Sequence, residues 1–173
     1  CGSIERTGSV AQGLEKMAAV GRVLCIDHHA SNDGFGAINV VDPVCESTTV
    51  VLLDILDRLS IQIDRVIAHC LYAGLVTDTG NFRWGRPAMH DIAARLMLYG
   101  LDTKQIALEL MDSSTADDLQ MIGRVLSGLR IEEAGEHRLA VLFVPHEEVA
   151  SHADSAIESF VDYVRALKGT DIG

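Results

Sequence analysis

The sequence predicts an α/β domain, a parallel sheet with flanking helices. Three observations carry that expectation. "RVLCI" (22–26) is a short, unbroken apolar run, the pattern of a strand buried on both faces of a parallel sheet. Several segments of helical length and periodicity follow it. "HRLAVLFV", from residue 137, then supplies another strand before a last helical stretch.

After the first strand, residues 30–43 carry Asn32, Gly34, Gly36, Asn39 and Pro43 and read as loop, with a short strand at "AINVV". From Ser47, the apolar positions Val50, Val51, Leu53, Ile55, Leu56 and Leu59 suit a buried helix, with Glu46, Ser47 and Thr48 as candidate caps. A second helix fits 64–77, its buried face drawn through Val66, Ile67, Cys70, Leu71, Gly74 and Leu75. A third fits 89–99, stopped by Gly100. "TKQIALELM" and "ADDLQMIGRVLSGL" read as two more helices, "EEAGE" as a solvated turn, and "ADSAIESFVDYVRAL" as one closing amphipathic helix. There is no internal repeat and no low-complexity segment.

The 173 residues suit one domain, alone or with a small appendage. With 48% hydrophobic but only 5% aromatic residues, the core is expected to be aliphatic. A net charge of −11 excludes a nonspecific nucleic-acid grip built on basic patches. Phosphates remain within reach if divalent cations supply the positive charge. The four cysteines, Cys1, Cys25, Cys45 and Cys70, include no CxxC pair. Three of them lie in apolar surroundings, and core thiols in a reducing, cytoplasmic setting are expected, a disulfide or zinc site being the alternative. No apolar run approaches the ~18 residues that would span a bilayer, and no signal-peptide pattern opens the chain, so no membrane association is expected.

Asp27-His28-His29 closes the first strand, and ligands of open α/β sheets gather at the carboxyl ends of strands. An imidazole there can ligate Mn²⁺, Fe²⁺ or Zn²⁺ while an adjacent acid fixes its tautomer. On extended chain the two rings would diverge, one toward a metal and the other toward substrate. The alternative is a pair of strand-end histidines, one packed and one solvated. Asp78 falls one turn beyond Gly74, near a helix C-terminus, where desolvation and the helix dipole both disfavour a carboxylate. A cation would offset both; otherwise Asp78 simply begins a "DTGN" turn. Arg83 could hold a phosphate through its guanidinium, with His90 near enough in sequence to join it; the alternatives are an ordinary surface arginine and a solvated or capping histidine. Ser47 and Thr48 could donate to a phosphate at a helix N-terminus or serve only as caps. Trp84 reads as packing, with base-stacking as the alternative.

Together, "DHHASN" (27–32), "LYAGLVTDTGNFRW" (71–84) and "HDIAARLMLYGLD" (90–102) resemble the DHH phosphoesterase superfamily. Within it, the resemblance is to the bacterial bifunctional oligoribonuclease and 3′-phosphoadenosine-5′-phosphate phosphatase group, which includes enzymes acting on cyclic dinucleotides. It implies His28 and Asp78 as metal ligands and His29 at the scissile phosphate, with Asp27 orienting the histidines. It also implies a pair of Mn²⁺ ions, with Mg²⁺ or Co²⁺ as substitutes. Arg83, His90, Ser47 and Asn32 become candidate substrate contacts.

The expected reaction is hydrolysis of short oligoribonucleotides, linear or cyclic dinucleotides and 3′-phosphoadenosine-5′-phosphate by water activated between two ions. A homodimer is expected. The family's H-x-x-x-D-x-D motif does not occur in these residues. Residues 1–130 are therefore expected to be the later part of a DHH catalytic domain, truncated at its N-terminus and holding about half of the metal ligands. Residues 131–173 would lead toward a substrate-binding domain beyond them. On that expectation the 173 residues alone are inactive. The other readings are a single-strand exonuclease of the RecJ kind, a family II inorganic pyrophosphatase, and a non-catalytic fragment.

Overall fold

β1 (Leu24–Asp27) and β2 (Ile38–Val41) run parallel, with Leu24 opposite Ile38 and Asp27 opposite Val41. Parallel neighbours usually need a crossover of a dozen or more residues. Here a ten-residue loop, 28–37, suffices because it is tightly bonded within itself. Asn32 Oδ1 accepts from Gly34 N (2.8 Å), and the Asn39 amide exchanges two hydrogen bonds with the backbone of Gly36. A Cβ at Gly36 would lie 2.8 Å from the Ile38 carbonyl oxygen and 2.9 Å from Cys25 N, so only glycine lets the loop pass there.

A computed structural model describes residues 2–111 and 114–173 of the chain. They fall into two compact units, residues 1–112 and 113–173.

In the first unit, a 3-10 stretch (Glu5–Val10) and α1 (Ala11–Ala19) precede β1, and neither was anticipated from the sequence. The expected helices follow as α2 (Thr48–Arg58), α3 (Arg65–Asp78), α4 (Ala88–Met97) and α5 (Thr103–Met111). Ser47 caps α2 by accepting from Val50 N, and Asp64 caps α3 by accepting from Ile67 N. Gly100, at φ +73°, turns the chain after α4. The core gathers Val50 and Leu53 of α2, Leu71 and Leu75 of α3, Leu96 of α4 and Ile106 of α5, and it is aliphatic as expected.

Two expectations need correction. β1 is not buried on both faces: Leu24 is 58% exposed, because the sheet among the described residues has two strands and one covered side. The buried face of α3 is also rotated from the one expected, running through Ala68, Leu71, Tyr72, Leu75 and Val76. Val66 is 71% exposed and Cys70 is exposed rather than a core thiol, whereas Cys25 is buried. Tyr72 contributes more apolar area than Cys70 and draws the helix round.

The second unit begins with α6 (Ala116–Leu126), capped by a reciprocal box between Thr115 and Asp118. A hairpin, β3 (Arg130–Ala134) and β4 (His137–Val141), follows, so the first three residues of "EEAGE" are strand rather than turn. The expected closing helix is divided into α8 (Asp154–Glu158) and α9 (Phe160–Arg165), after a short α7 (His146–Ser151). Met121, Ile122, Val125, Ala156 and Phe160 form its core. No helix of the described residues is long and apolar enough to cross a membrane.

Candidate metal centre

Asp27 is the last residue of β1, and its side chain is fully buried. Four donors converge on the carboxylate. His28 N donates to Oδ1 at 2.8 Å, His29 Nδ1 lies 2.7 Å from the same oxygen, Asn32 Nδ2 donates to Oδ2 at 2.6 Å, and Thr48 Oγ1 reaches Oδ1 at 3.4 Å. Burial alone would push the Asp27 carboxyl up, but the hydrogen bonds from His29, Asn32 and the His28 amide outweigh it. They hold the group well below the usual carboxylate range. A carboxylate is acceptor-only, so His29 must present its Nδ1–H to it. His29 Nε2 is thereby turned away from Asp27, on a side chain that is 42% exposed.

His28 is held differently. Its Nδ1 lies 3.3 Å from the carbonyl oxygen of Cys45, which can only accept. Nδ1 is therefore the protonated nitrogen, and Nε2 points at Asp78 Oδ2, 3.5 Å away. Asp78 ends α3, where the last-turn carbonyls carry the negative end of the helix dipole. Burial raises the Asp78 carboxyl above its ordinary value; the charges of His28 and His29 pull it down, and that of Asp27 pushes it up. A lone pair on Nε2 and a carboxylate oxygen face each other across a gap that a proton or a cation would stabilise. Ligand atoms of Asp27, His28 and His29 also lie within 4.8 Å of one another, the one such metal-capable group among the described residues.

The two rings do not diverge as expected. Their centroids are 4.4 Å apart at 62°, because β1 ends at Asp27 and both histidines belong to the loop. Of the candidate substrate contacts, Asn32 is brought into the centre through Asp27. Ser47 is fully buried, its hydroxyl shared between Val50 N and Thr49 Oγ1. Arg83 and His90 are exposed, and the His90 ring lies 5.6 Å from that of Phe82.

Three participants take roles that the sequence does not predict. The Cys45 carbonyl, being backbone, has no sequence signal. Thr48, expected as a cap or a donor to phosphate, instead reaches the Asp27 carboxylate through its hydroxyl. Glu46 anchors the loop after Asp78: its carboxylate, 3% exposed, accepts from Arg86 N, Nε and Nη2 at 3.0, 2.8 and 3.2 Å.

No protein-family model matches the chain. The bifunctional oligoribonuclease and PAP phosphatase NrnA of Thermus thermophilus is 30% identical over 152 residues, covering 87% of the chain and 45% of the relative. The probable bifunctional oligoribonuclease and PAP phosphatase NrnA of Streptococcus mutans is 28% identical over 116 residues, 66% of the chain and 37% of the relative. The chain is NrnA-like and resembles the DHH superfamily. It spans less than half the length of these NrnA relatives. The fold agrees with a crystal structure of an exopolyphosphatase-related protein from Bacteroides fragilis, with a TM-score of 0.79 at 23% identity over 98% of the chain and 51% of that structure. In this NrnA-like chain the DHH triplet is thus a strand end with two differently tethered histidines.

Proposed function

We propose that the protein is a metal-dependent phosphoesterase acting on short oligoribonucleotides, linear or cyclic dinucleotides and 3′-phosphoadenosine-5′-phosphate. The observation that carries this reading is the approach of His28 Nε2 to Asp78 Oδ2 with His28 Nδ1 engaged by the Cys45 carbonyl. That is the tautomer a metal-binding imidazole needs. The donor set, one imidazole nitrogen and one carboxylate raised by burial, suits Mn²⁺. His28 and Asp78 would hold the ion, which supplies Lewis acidity for transfer of the phosphoryl group to water.

The chain's own groups do the rest. Asp27 fixes both histidines, and through Nδ1 it keeps His29 Nε2 directed outward to hydrogen-bond a phosphoryl oxygen. Asn32 and Thr48 hold Asp27 in turn. Arg83 and His90, both exposed, would meet the rest of the substrate, and Ser47 caps the start of α2. Hydrolysis forms a bond from the water oxygen to phosphorus and breaks the bond to the leaving ribose oxygen, which takes up a proton. Names of the NrnA relatives, oligoribonuclease and PAP phosphatase, support the substrate class.

The test is Mn²⁺-dependent release of AMP from pApA by the full-length protein. His28→Ala and Asp78→Ala are each expected to lower the rate by about a hundredfold or more. Rates within about twofold of wild type for both variants would remove the assignment.

A further inference from the structure

Trp84 lies six residues beyond Asp78 and reaches back to it. Its indole Nε1–H donates to the Asp78 main-chain oxygen at 2.8 Å. That oxygen is one of the last-turn carbonyls for which α3 has no intrahelical partner. The return is made through three successive left-handed residues, Gly80, Asn81 and Phe82, at φ +53°, +61° and +64°. Such values are uncommon outside glycine. Here they are held by Asn81 N to Val76 O (2.8 Å), Phe82 N to Thr79 Oγ1 (3.1 Å) and Arg83 N to Thr79 O (2.9 Å). A Cβ on Gly80 would come within 2.3–2.4 Å of Trp84 ring carbons, so the indole is seated directly against the glycine. The left-handed run and the glycine contact thus seat the indole, whose one hydrogen bond ties it to the Asp78 main chain.

We infer that Trp84 is a positioning residue, fixing the Asp78 carboxylate toward His28 and thereby setting the affinity for a divalent cation. This rests on the reading of His28 and Asp78 as metal ligands. A mere helix-end cap would contribute to stability and leave metal affinity alone.

Trp84→Phe keeps an aromatic ring and removes the donor. The reference is Asp57→Ala, which breaks a paired contact between α2 and α4 (Asp57 Oδ1 and Oδ2 to Arg95, both 2.6 Å) and touches no residue of the centre. Mn²⁺ binding to the full-length protein is followed by electron paramagnetic resonance of the free ion. Trp84→Phe is expected to weaken binding by at least about fivefold while Asp57→Ala keeps wild-type affinity. Wild-type affinity in Trp84→Phe, or an equal loss in both variants, overturns the inference.

Trp84 is the one tryptophan among residues 1–173, and the Trp84→Phe variant assigns its indole resonance for a second measurement. In wild-type protein its indole ¹H–¹⁵N resonance is expected to shift during titration with diamagnetic Mg²⁺, with the midpoint of binding; a resonance unmoved through saturation overturns the inference as well. Failure of the wild-type protein to bind Mn²⁺ at all is distinguishable from both. It removes the ligand assignment itself, and the role of Trp84 with it.

Discussion

His28 Nε2 stands 3.5 Å from Asp78 Oδ2, joining the end of β1 to the last turn of α3. Nothing but a proton or a cation resolves that contact, since His28 Nδ1 is already engaged by Cys45. Asp78→Asn keeps the shape and removes the charge. Mn²⁺ affinity of the full-length protein, measured by calorimetry, should fall by at least about a hundredfold. Stability in a chelator should move the other way. The Asp78 pKa is raised in the folded state, so its ionisation opposes folding once pH passes the ordinary carboxylate range. The asparagine variant should match or exceed wild type in urea at pH 7 without metal. A loss of stability with unchanged affinity would make Asp78 a structural residue.

Asp27 has the opposite character. Its carboxylate satisfies four donors in a fully buried position, and an asparagine would direct an NH₂ at one of them. Asp27→Asn should cost about 2–4 kcal/mol in urea denaturation. The sign of the pH effect follows from its depressed folded-state pKa. Stability from this group is fully present above the ordinary aspartate pKa of 3.8 and is lost as pH falls below it toward the folded value. Wild-type stability should therefore drop below about pH 4, and the variant should show a shallower decline. Parallel curves would mean that Asp27 does not carry the acid sensitivity.

Much of this arrangement is legible in sequence because its parts obey local rules. A strand running into "DHH" places polar ligands at the carboxyl edge, and caps at Ser47 and Gly100 bound the helices where expected. The exposed flank of α3 was not legible. Val66 and Cys70 fit helical spacing as well as Ala68 and Tyr72 do, and only packing against α2, α4 and α5 decides between the two faces. The proximity of the histidine rings escaped for a related reason: alternation of side chains holds along a strand, and β1 stops one residue before them. The His28 tether to Cys45 is invisible in principle, since any residue offers a carbonyl.

Glu46 should matter more than its neighbours suggest. Burial pushes its carboxyl up, but the hydrogen bonds from Arg86 prevail and lower it, so its contribution too is lost in acid. Glu46→Gln should cost about 1.5–3 kcal/mol, because a charged acceptor of three hydrogen bonds is replaced by a neutral one. The loop between Asp78 and α4 should loosen locally as well. Limited trypsin digestion reads this directly, as faster cleavage after Arg83; unchanged cleavage would show that the loop is held by Trp84 and Thr79 alone.

The approach of α2 to α3 rests on Gly74. A Cβ there would lie 2.3 Å from Thr49 Cγ2 and 3.1 Å from Thr49 Oγ1, closer than van der Waals contact permits. Gly74→Ala gains roughly 1 kcal/mol of helix propensity, but overpacking costs about 1–3 kcal/mol, and a shift of α3 also moves Asp78 on the same helix. Moderate destabilisation with weakened Mn²⁺ binding is expected. Thr49→Ala removes the atoms that collide, at the cost of the Ser47–Thr49 hydrogen bond of 2.6 Å. The double variant should therefore be more stable than the sum of the two single changes by about 1 kcal/mol or more. Strict additivity in that cycle would show that the helices separate freely, and that the contact at Gly74 does not set the position of Asp78.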